Sequence, residues 1–343
     1  MVDLWYQSVD GNVSRPAAEF NNSQSKCSQK SQLPGCVFED DMFHSQVIKI
    51  IQGQAAETRP LFLYWAAHAC HGPREAPQQF YDKFSFIDNK QRQMYHALMN
   101  YLDSMVGNVV GLLKETQMYE DTLLVWSSDN GGDDGANNYP LRGAKFSNWQ
   151  GGIHVGAFVS GGWLPASRRG IKLSGTAALW DLYATFGHAA GLSAAAARSD
   201  APAADAGLPA VDSIDQLDYW LGTSAGPPRT ELAVGTAYGN AHGGGNAFFA
   251  TSVEALIQGE MKLILTPVGM PIDEAIWTGP QYPNATAGNQ TKEWATTMDC
   301  SRGCLYNLTA DITEHVNLAE ELPVSIDSTS FCMQFIIIWS ILG

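Results

Sequence analysis

Apolar residues concentrate in three runs in the first half of the chain, each bounded by polar or turn-forming residues. The runs cover residues 60–67, 122–128 and 153–160. A short apolar run between turn signals is typical of a strand whose two faces are both buried. We therefore predict three core strands at these positions.

The stretch after the first run has a different period. Its apolar residues recur at steps of three and four, the spacing of an amphipathic helix, at Tyr95, Leu98, Met99, Leu102, Val106, Val109 and Leu113. Asp88 and Gln91 are predicted to cap this helix. The same reasoning predicts the end of a short helix at residues 47–52 and a further helix at residues 176–187.

This order of elements predicts an α/β fold, because strands that alternate with helices usually form a mostly parallel sheet flanked by helices. Ligands of such sheets lie beyond the carboxyl ends of the strands. Residues 68–73 and 129–132 follow the first two predicted strands directly. These two segments are therefore where we expect the functional site.

The pattern divides the chain into four parts. A polar, irregular segment (1–45) precedes a large α/β domain (46–228), a smaller subdomain (229–323) and an apolar tail (324–343). Within the second part, the low-complexity residues 192–210 predict a linker or surface loop. The third part is predicted to be antiparallel, because it contains four short strand patterns, at 230–234, 255–257, 261–265 and 305–308.

Composition and charge argue against a protein that binds nucleic acid or anionic membranes. The 343 residues are 45% hydrophobic and carry a formal net charge of −15. Such a chain can bury a large core, and at long range it repels nucleic acid and anionic membranes. An anionic substrate stays compatible with this charge if a bound dication reverses the field locally.

Cysteines and glycosylation sequons favour passage of the protein through the oxidising secretory pathway. Cys27/Cys36 and Cys300/Cys304 are close enough in sequence for local disulfides, and no zinc-ligand spacing is present. Five N-x-[ST] sequons begin at Asn12, Asn21, Asn284, Asn289 and Asn307. No signal peptide is visible at the start, which indicates either a cytosolic protein or a missing beginning, and we favour the second. The last 13 residues are apolar but too few to span a bilayer as a helix.

Four residues are candidates for chemistry. Asp129 and Asn130 offer oxygen ligands of the kind that Ca²⁺ or Mg²⁺ prefers, although Asp-Asn-Gly-Gly is also good turn chemistry. His71, before Gly-Pro, can exchange a proton near neutral pH, or it can simply cap the strand end. Lys145 lies among glycines and aromatic residues and can hold an anion, although a surface lysine is the ordinary alternative. His68 is interpreted as structural.

Five motifs in order resemble the sulfatase family, with the match closest to the arylsulfatase B, I and J group. They are H-G-P at residues 71–73, D-N-G-G at 129–132, P-L-R-G-x-K at 140–145, W-x-G-G-I-x-V at 149–155, and L-Y-N-L-T-A-D-I-T-E-H-V-N-L-A at 305–319. The resemblance covers roughly residues 46–323.

The resemblance implies an alkaline-phosphatase-like α/β fold with a mixed, mostly parallel sheet and a four-stranded antiparallel C-terminal subdomain. It implies that Asp129 and Asn130 are ligands of a divalent cation, with Ca²⁺ favoured over Mg²⁺. It also implies that His71 and Lys145 contact the sulfate and the leaving oxygen of a sulfate ester. In the family, the nucleophile is a formylglycine made from cysteine by a formylglycine-generating enzyme.

The sequence departs from the family where the nucleophile belongs. No C-x-P-x-R motif is present, and Cys70-His-Gly-Pro-Arg74 has Pro and Arg at the wrong offsets. Asp40-Asp41 does not follow a first buried strand, so we do not assign it to the metal. We expect that the chain lacks the beginning of the catalytic domain and is inactive alone.

Two other functions remain open. A non-catalytic sulfatase-like protein would bind a partner or a sulfated glycan without hydrolysing it. A phosphatase or phosphodiesterase of the same superfamily would need a Ser or Thr nucleophile and extra His ligands, and no such His cluster is visible in the sequence.

Overall fold

The computed structural model describes residues 37–132, 135–145, 147–197, 199–234, 254–265 and 300–322, together with six short strands. These short strands form three two-stranded antiparallel pairs: β1 (Trp5–Gln7) with β2 (Ser14–Pro16), β8 (Ile276–Trp277) with β9 (Glu293–Trp294), and β11 (Val324–Ser325) with β12 (Ile336–Ile337). Several sequence features lie outside the described residues, namely Cys27, Cys36, Cys332 and the sequons at Asn12, Asn21, Asn284 and Asn289.

The described residues fall into two compact units. The first ends at Asp121 and also includes residues 135–136, and the second comprises the rest from Thr122 onwards. The boundaries predicted at residues 45, 228 and 323 stay a prediction. Among the described residues, no helix combines the length and apolar character needed to cross a membrane.

Three helices build the first unit: α1 (Glu39–Gln54), α2 (Gln78–Asp82) and α3 (Lys90–Glu115). The periodic pattern predicted α3 correctly, and its apolar stripe packs against α1 and α2. The predicted cap was wrong by one residue. Asn89, not Asp88, caps the helix, because its side-chain oxygen accepts a hydrogen bond from Arg92 N at 3.1 Å.

The first predicted strand, residues 60–67, is not a strand among the described residues. Exposure alternates along the segment. Leu63 and Trp65 pack against α1 and α3, whereas Phe62 and Tyr64 are 72% and 81% exposed. Burial on both faces needs a covering layer on each side. The described part of this unit supplies helices on one side only.

The second unit contains the other two predicted strands, β3 (Leu124–Ser127) and β4 (Ala157–Ser160). The second begins at Ala157 instead of Ile153, and the helical turn α4 (Gln150–Ile153) overlaps the first predicted residue. The two strands pair antiparallel, which is compatible with the mixed, mostly parallel sheet that was predicted.

Four more helices of the second unit lie between β4 and the C-terminal sheet: α5 (Asp181–Ala189), α6 (Ala194–Ala197), α7 (Ala201–Asp205) and α8 (Leu217–Leu221). The first of them confirms the helix predicted at 176–187, although it begins later. The next two are short helical pieces within the low-complexity region, which was predicted to be a linker or surface loop.

The C-terminal sheet has four antiparallel strands, as predicted. The strand order is β10-β7-β6-β5, with β5 at Glu231–Val234, β6 at Glu254–Gln258, β7 at Met261–Leu265 and β10 at Cys304–Asn307. A disulfide joins Cys300 to Cys304 at the start of β10, with 5.1 Å between the Cα atoms. This pair confirms one of the two local disulfides expected from spacing.

A buried ion pair joins Asp181, the first residue of α5, to Arg229. The Asp181 carboxylate is fully buried and accepts hydrogen bonds from Arg229 and from the backbone N–H groups of Ala178 and Ile214. Burial by itself would raise the pKa of Asp181, but these donors together outweigh it and lower the pKa below its usual value. The carboxylate is therefore ionised in the folded state.

This ion pair predicts acid sensitivity. A lowered folded-state pKa stabilises the fold above the unfolded value of 3.8, and that stabilisation is lost as pH falls further. We expect the unfolding free energy to fall below pH 4, with Asp181 contributing up to about 1.4 kcal/mol per pH unit. Urea unfolding of wild type and Asp181→Asn between pH 2.5 and 6 measures this slope. An unchanged slope in the variant would contradict the assignment.

Candidate active site

The segment after β3 carries the two predicted metal ligands. Asp129 is exposed and Asn130 is half-buried. The Asp129 side chain accepts a hydrogen bond from Asn130 N at 2.9 Å, and Ser128 Oγ donates to Asn130 O at 2.9 Å. These local bonds shape a turn directly beyond the strand. The motif can therefore form this turn and still offer oxygen ligands to a cation.

Glycines in this turn allow two backbones to touch. Gly131 N donates to Gly152 O at 2.8 Å. A Cβ at Gly131 would lie 1.7 Å from Gly151 O, and a Cβ at Gly151 would lie 2.3 Å from Gly143 O. Only residues without a side chain allow this approach. The D-N-G-G and W-x-G-G motifs therefore contact each other, a proximity that sequence reasoning did not foresee.

Asn138 is a second residue that sequence reasoning missed. Its side-chain oxygen accepts from Gly132 N at 2.8 Å, and its Nδ2 donates to Gly132 O at 2.9 Å and to Gly143 O at 3.2 Å. One amide side chain thus joins the segment after β3 to the P-L-R-G-x-K motif. A polar residue in a loop gives no distinguishing signal in a single sequence.

Lys145 is half-buried and belongs to this assembly. Its backbone N donates to Gly132 O at 3.2 Å. The structure thus brings the main chain of three predicted site residues, Asp129, Asn130 and Lys145, into one hydrogen-bonded group of loops. We call residues 142–152 the lysine loop.

A cluster of buried charged residues connects the lysine loop to β7. Lys262 of β7 and Glu314 are both 0% exposed, and Lys262 Nζ lies 2.6 Å from Glu314 Oε1. Arg142 is also buried and lies over the Trp149 ring, with 3.7 Å from Cζ to the ring centroid. Burial raises the pKa of Glu314 and lowers that of Lys262, while their mutual attraction opposes both shifts. A lysine inside the apolar run of β7 was the available sequence signal.

His71 lies in the first unit, at the turn after residues 60–67. Its backbone N donates to His68 O at 3.1 Å, and its ring Nδ1 lies 2.8 Å from Gly72 O. A carbonyl oxygen can only accept, so Nδ1 carries the proton and Nε2 is the acceptor of the neutral ring. The side chain is exposed. Convergence of His71 with the other three candidates stays a prediction.

Asp40, Asp41, His68 and Cys70, which were not assigned a catalytic or metal-binding role from the sequence, make structural contacts in the first unit. Asp40 accepts from His68 N at 2.9 Å, and Asp41 accepts from Tyr101 Oη at 2.5 Å. The His68 ring contacts Glu39 at 2.9 Å. Burial raises the pKa of the Cys70 thiol to about 11, so it is protonated at neutral pH and is a poor nucleophile.

The oxygen donors of the turn after β3 suit a divalent cation only in part. Asp129 and Asn130 provide carboxylate and amide oxygens, which suit a hard cation in kind. Ca²⁺ takes six to eight oxygen ligands, and the described residues contain no group of three or more His, Cys, Asp or Glu that could hold a metal. The two residues therefore form at most part of a cation site.

Comparison with known proteins agrees with the motifs. The Sulfatase family profile matches residues 4–192. Arylsulfatase J of Mus musculus is 28% identical over 298 residues, which cover 84% of this chain and 46% of that protein. N-acetylgalactosamine-6-sulfatase of Canis lupus familiaris is 29% identical over 188 residues, covering 53% and 32%. The chain thus spans about half, or less, of these relatives.

A solved structure supports the fold. Ps i-CgsB, crystallised in complex with k-i-k-neocarrahexaose, superposes with a TM-score of 0.61 at 21% identity, covering 84% of this chain and 52% of that chain. The fold is accordingly of the alkaline-phosphatase-like α/β type with a C-terminal antiparallel sheet. Because the family profile covers more than half of the residues, this chain belongs to the sulfatase family of sulfuric ester hydrolases.

Proposed function

We propose that the protein hydrolyses sulfate esters of aryl or carbohydrate compounds with the help of a divalent cation. Asp129 and Asn130 are two of the cation ligands in this proposal, and Ca²⁺ is favoured over Mg²⁺. His71 and Lys145 contact the sulfate and the leaving oxygen. The observation that carries the proposal is the hydrogen bond from Lys145 N to Gly132 O, because it joins the lysine loop to the segment with both oxygen donors.

Each protein group has a chemical task in this reaction. The Lys145 ammonium is a compact positive charge that stabilises negative charge on the sulfuryl oxygens. His71 Nε2, when protonated, donates a proton to the leaving oxygen, while Nδ1–H keeps the ring oriented through Gly72 O. A bound cation would add charge neutralisation beside Asp129 and Asn130.

We propose that this chain alone does not complete the reaction. The family resemblance implies a formylglycine nucleophile, and the printed sequence has no C-x-P-x-R motif from which a formylglycine-generating enzyme could make one. The same observation favours the second candidate function, a non-catalytic sulfatase-like protein that binds sulfated glycans.

Substrate class and compartment follow from separate observations. Relatives named arylsulfatase and N-acetylgalactosamine-6-sulfatase support aryl or amino-sugar sulfates as test substrates. The Cys300–Cys304 disulfide supports passage through the oxidising secretory route, and so does the sequon at Asn307. We propose an extracellular or lysosomal location.

Expression with a formylglycine-generating enzyme tests the proposal. We expect no turnover of an aryl sulfate or of N-acetylgalactosamine 6-sulfate by the 343-residue chain. If an in-frame upstream segment supplies C-x-P-x-R, we expect the longer protein to turn over substrate. This activity should be lost with a chelator, restored better by Ca²⁺ than by Mg²⁺, and lost in Asp129→Ala.

The outcomes separate the two candidates. Turnover by the 343-residue chain that disappears in Asp129→Ala would overturn the proposed inactivity. Binding of a sulfated glycan without turnover, in a longer protein that carries formylglycine, would favour the non-catalytic function.

A further inference from the structure

Glu314 has an unusual backbone and an unusual environment. Its side chain is 0% exposed, and its φ of +57° lies in the left-handed region that residues with a Cβ rarely adopt. Such conformations persist only where the surrounding structure holds them, and they concentrate at sites with a special task. The proposed reaction assigns no task to this residue.

Three of the hydrogen bonds that Glu314 makes within the second unit reach the lysine loop and β7. Oε2 accepts from Gln150 N at 2.8 Å, and Oε1 accepts from Lys262 Nζ at 2.6 Å. The backbone oxygen of Glu314 accepts from Arg142 Nη1 at 3.1 Å. Arg142 begins the lysine loop and Gln150 lies near its end, so one residue holds both parts of the loop and anchors them to β7.

Backbone hydrogen bonds connect the lysine loop to the turn that carries the predicted cation ligands. Gly151 N donates to Arg142 O at 2.6 Å, which closes the loop on itself. Gly152 O then accepts from Gly131 N at 2.8 Å, and Lys145 N donates to Gly132 O at 3.2 Å. A displacement of Gln150 therefore displaces the partners of the Asp129–Asn130 turn.

A charged residue is not needed here for stability alone. Removing both charges from water is unfavourable, and an apolar pair of similar volume is often equally stable. The carboxylate does provide something that an apolar residue cannot, since two oxygens fix the direction of two donors at once. The contribution of the Glu314 carboxylate is therefore to fix the positions of its two donors.

We propose that Glu314 is a positioning residue that couples the C-terminal sheet to the lysine loop and so holds Lys145 beside the Asp129–Asn130 turn. The functional meaning of this position rests on the proposed sulfatase function, whereas the mechanical coupling does not. The proposal gives the C-terminal L-Y-N-L-T-A-D-I-T-E motif a role in the site although it supplies no candidate ligand.

Amide hydrogen exchange in the 343-residue chain tests the coupling. Lys262→Met/Glu314→Leu removes both charges and the acceptor of Gln150 N. Lys262→Met/Glu314→Gln removes both charges and keeps an acceptor oxygen. We expect the amides of Gly131, Lys145 and Gly151 to exchange about tenfold to hundredfold faster in the Leu variant, the effect of losing a hydrogen bond to a charged group. The Gln variant should stay near wild type.

A matched control excludes a general effect of losing a buried ion pair. Asp181→Leu/Arg229→Met removes a second buried ion pair among the described residues of this unit, and it should accelerate exchange in α5 but not at Gly131, Lys145 and Gly151. Equal acceleration at these three amides in the control, or equal rates in the Leu and Gln variants, would overturn the proposal.

A further variant covers failure of the Leu variant to fold. Glu314→Asp keeps the negative charge beside Lys262 but shortens the side chain by one methylene, so it cannot reach both Lys262 and Gln150 N. We expect at least about tenfold faster exchange at the same three amides. Wild-type exchange in Glu314→Asp would contradict the proposal.

Turnover provides a separate readout in a longer protein that carries formylglycine. Faster loop exchange together with a lower kcat and a smaller change in KM supports positioning of Lys145. If amide exchange changes as expected but neither wild type nor any variant turns over substrate, the proposed sulfatase function is wrong and the structural coupling is still supported. A Leu variant with altered exchange and wild-type kcat would overturn the positioning role.

Discussion

Replacing Lys262 by alanine is expected to lower the free energy of unfolding by about 3–5 kcal/mol, because it leaves the buried Glu314 carboxylate without its cation. Both side chains are 0% exposed, and Lys262 Nζ lies 2.6 Å from Glu314 Oε1. A water molecule in the vacated space would hydrogen-bond to the carboxylate but would not supply the lost positive charge. Chemical denaturation of both proteins at pH 7, followed by tryptophan fluorescence and circular dichroism, measures the difference.

Two controls identify the cause. Lys172→Ala removes an exposed lysine of the same unit and should change stability by less than about 0.5 kcal/mol. Lys262→Met/Glu314→Leu should recover most of the loss, since replacing both partners of a buried pair is often neutral. A loss below about 1 kcal/mol in Lys262→Ala would show that the pair is not charged in the folded protein.

In a longer protein that carries formylglycine, Lys145→Ala is expected to lower kcat by about 10²–10³-fold, the usual effect of removing one electrostatic contact to the transition state. Lys145 is half-buried and its backbone is held beside Gly132. An ammonium placed there acts without reorganisation during the reaction. Steady-state kinetics on an aryl sulfate measure the change.

The size of the change in Lys145→Arg adds information. A guanidinium keeps the charge but not the compact shape, so we expect partial activity. Lys172→Ala should keep the wild-type kcat. If Lys145→Ala raises KM and leaves kcat unchanged, Lys145 binds the ground state and the transition state equally, and its proposed role is wrong.

Local patterns predicted elements well where a run of consecutive residues carries the signal. The three- and four-residue spacing predicted α3, and short apolar runs predicted β3, β4 and the four strands of the C-terminal sheet. The disulfide between Cys300 and Cys304 follows from a separation of four residues. Each of these signals is present within a short stretch of sequence, although the strands pair with distant partners.

Predictions that depend on distant partners were less successful. Residues 60–67 have the composition of a core strand, but whether such a run becomes a strand depends on layers contributed from elsewhere. Likewise, no local pattern predicted the direction in which β3 and β4 pair, and the structure pairs them antiparallel.

Motifs of a few consecutive residues were enough to indicate the family and the candidates His71, Asp129, Asn130 and Lys145, and local periodicity was enough to predict α3, α5 and the strands of the C-terminal sheet. Which segments hold the lysine loop is known only from the folded structure. Glu314 lies 164 residues from Gln150 and 172 from Arg142. No periodicity or spacing encodes such contacts, since burial and hydrogen-bond geometry select them when the chain folds.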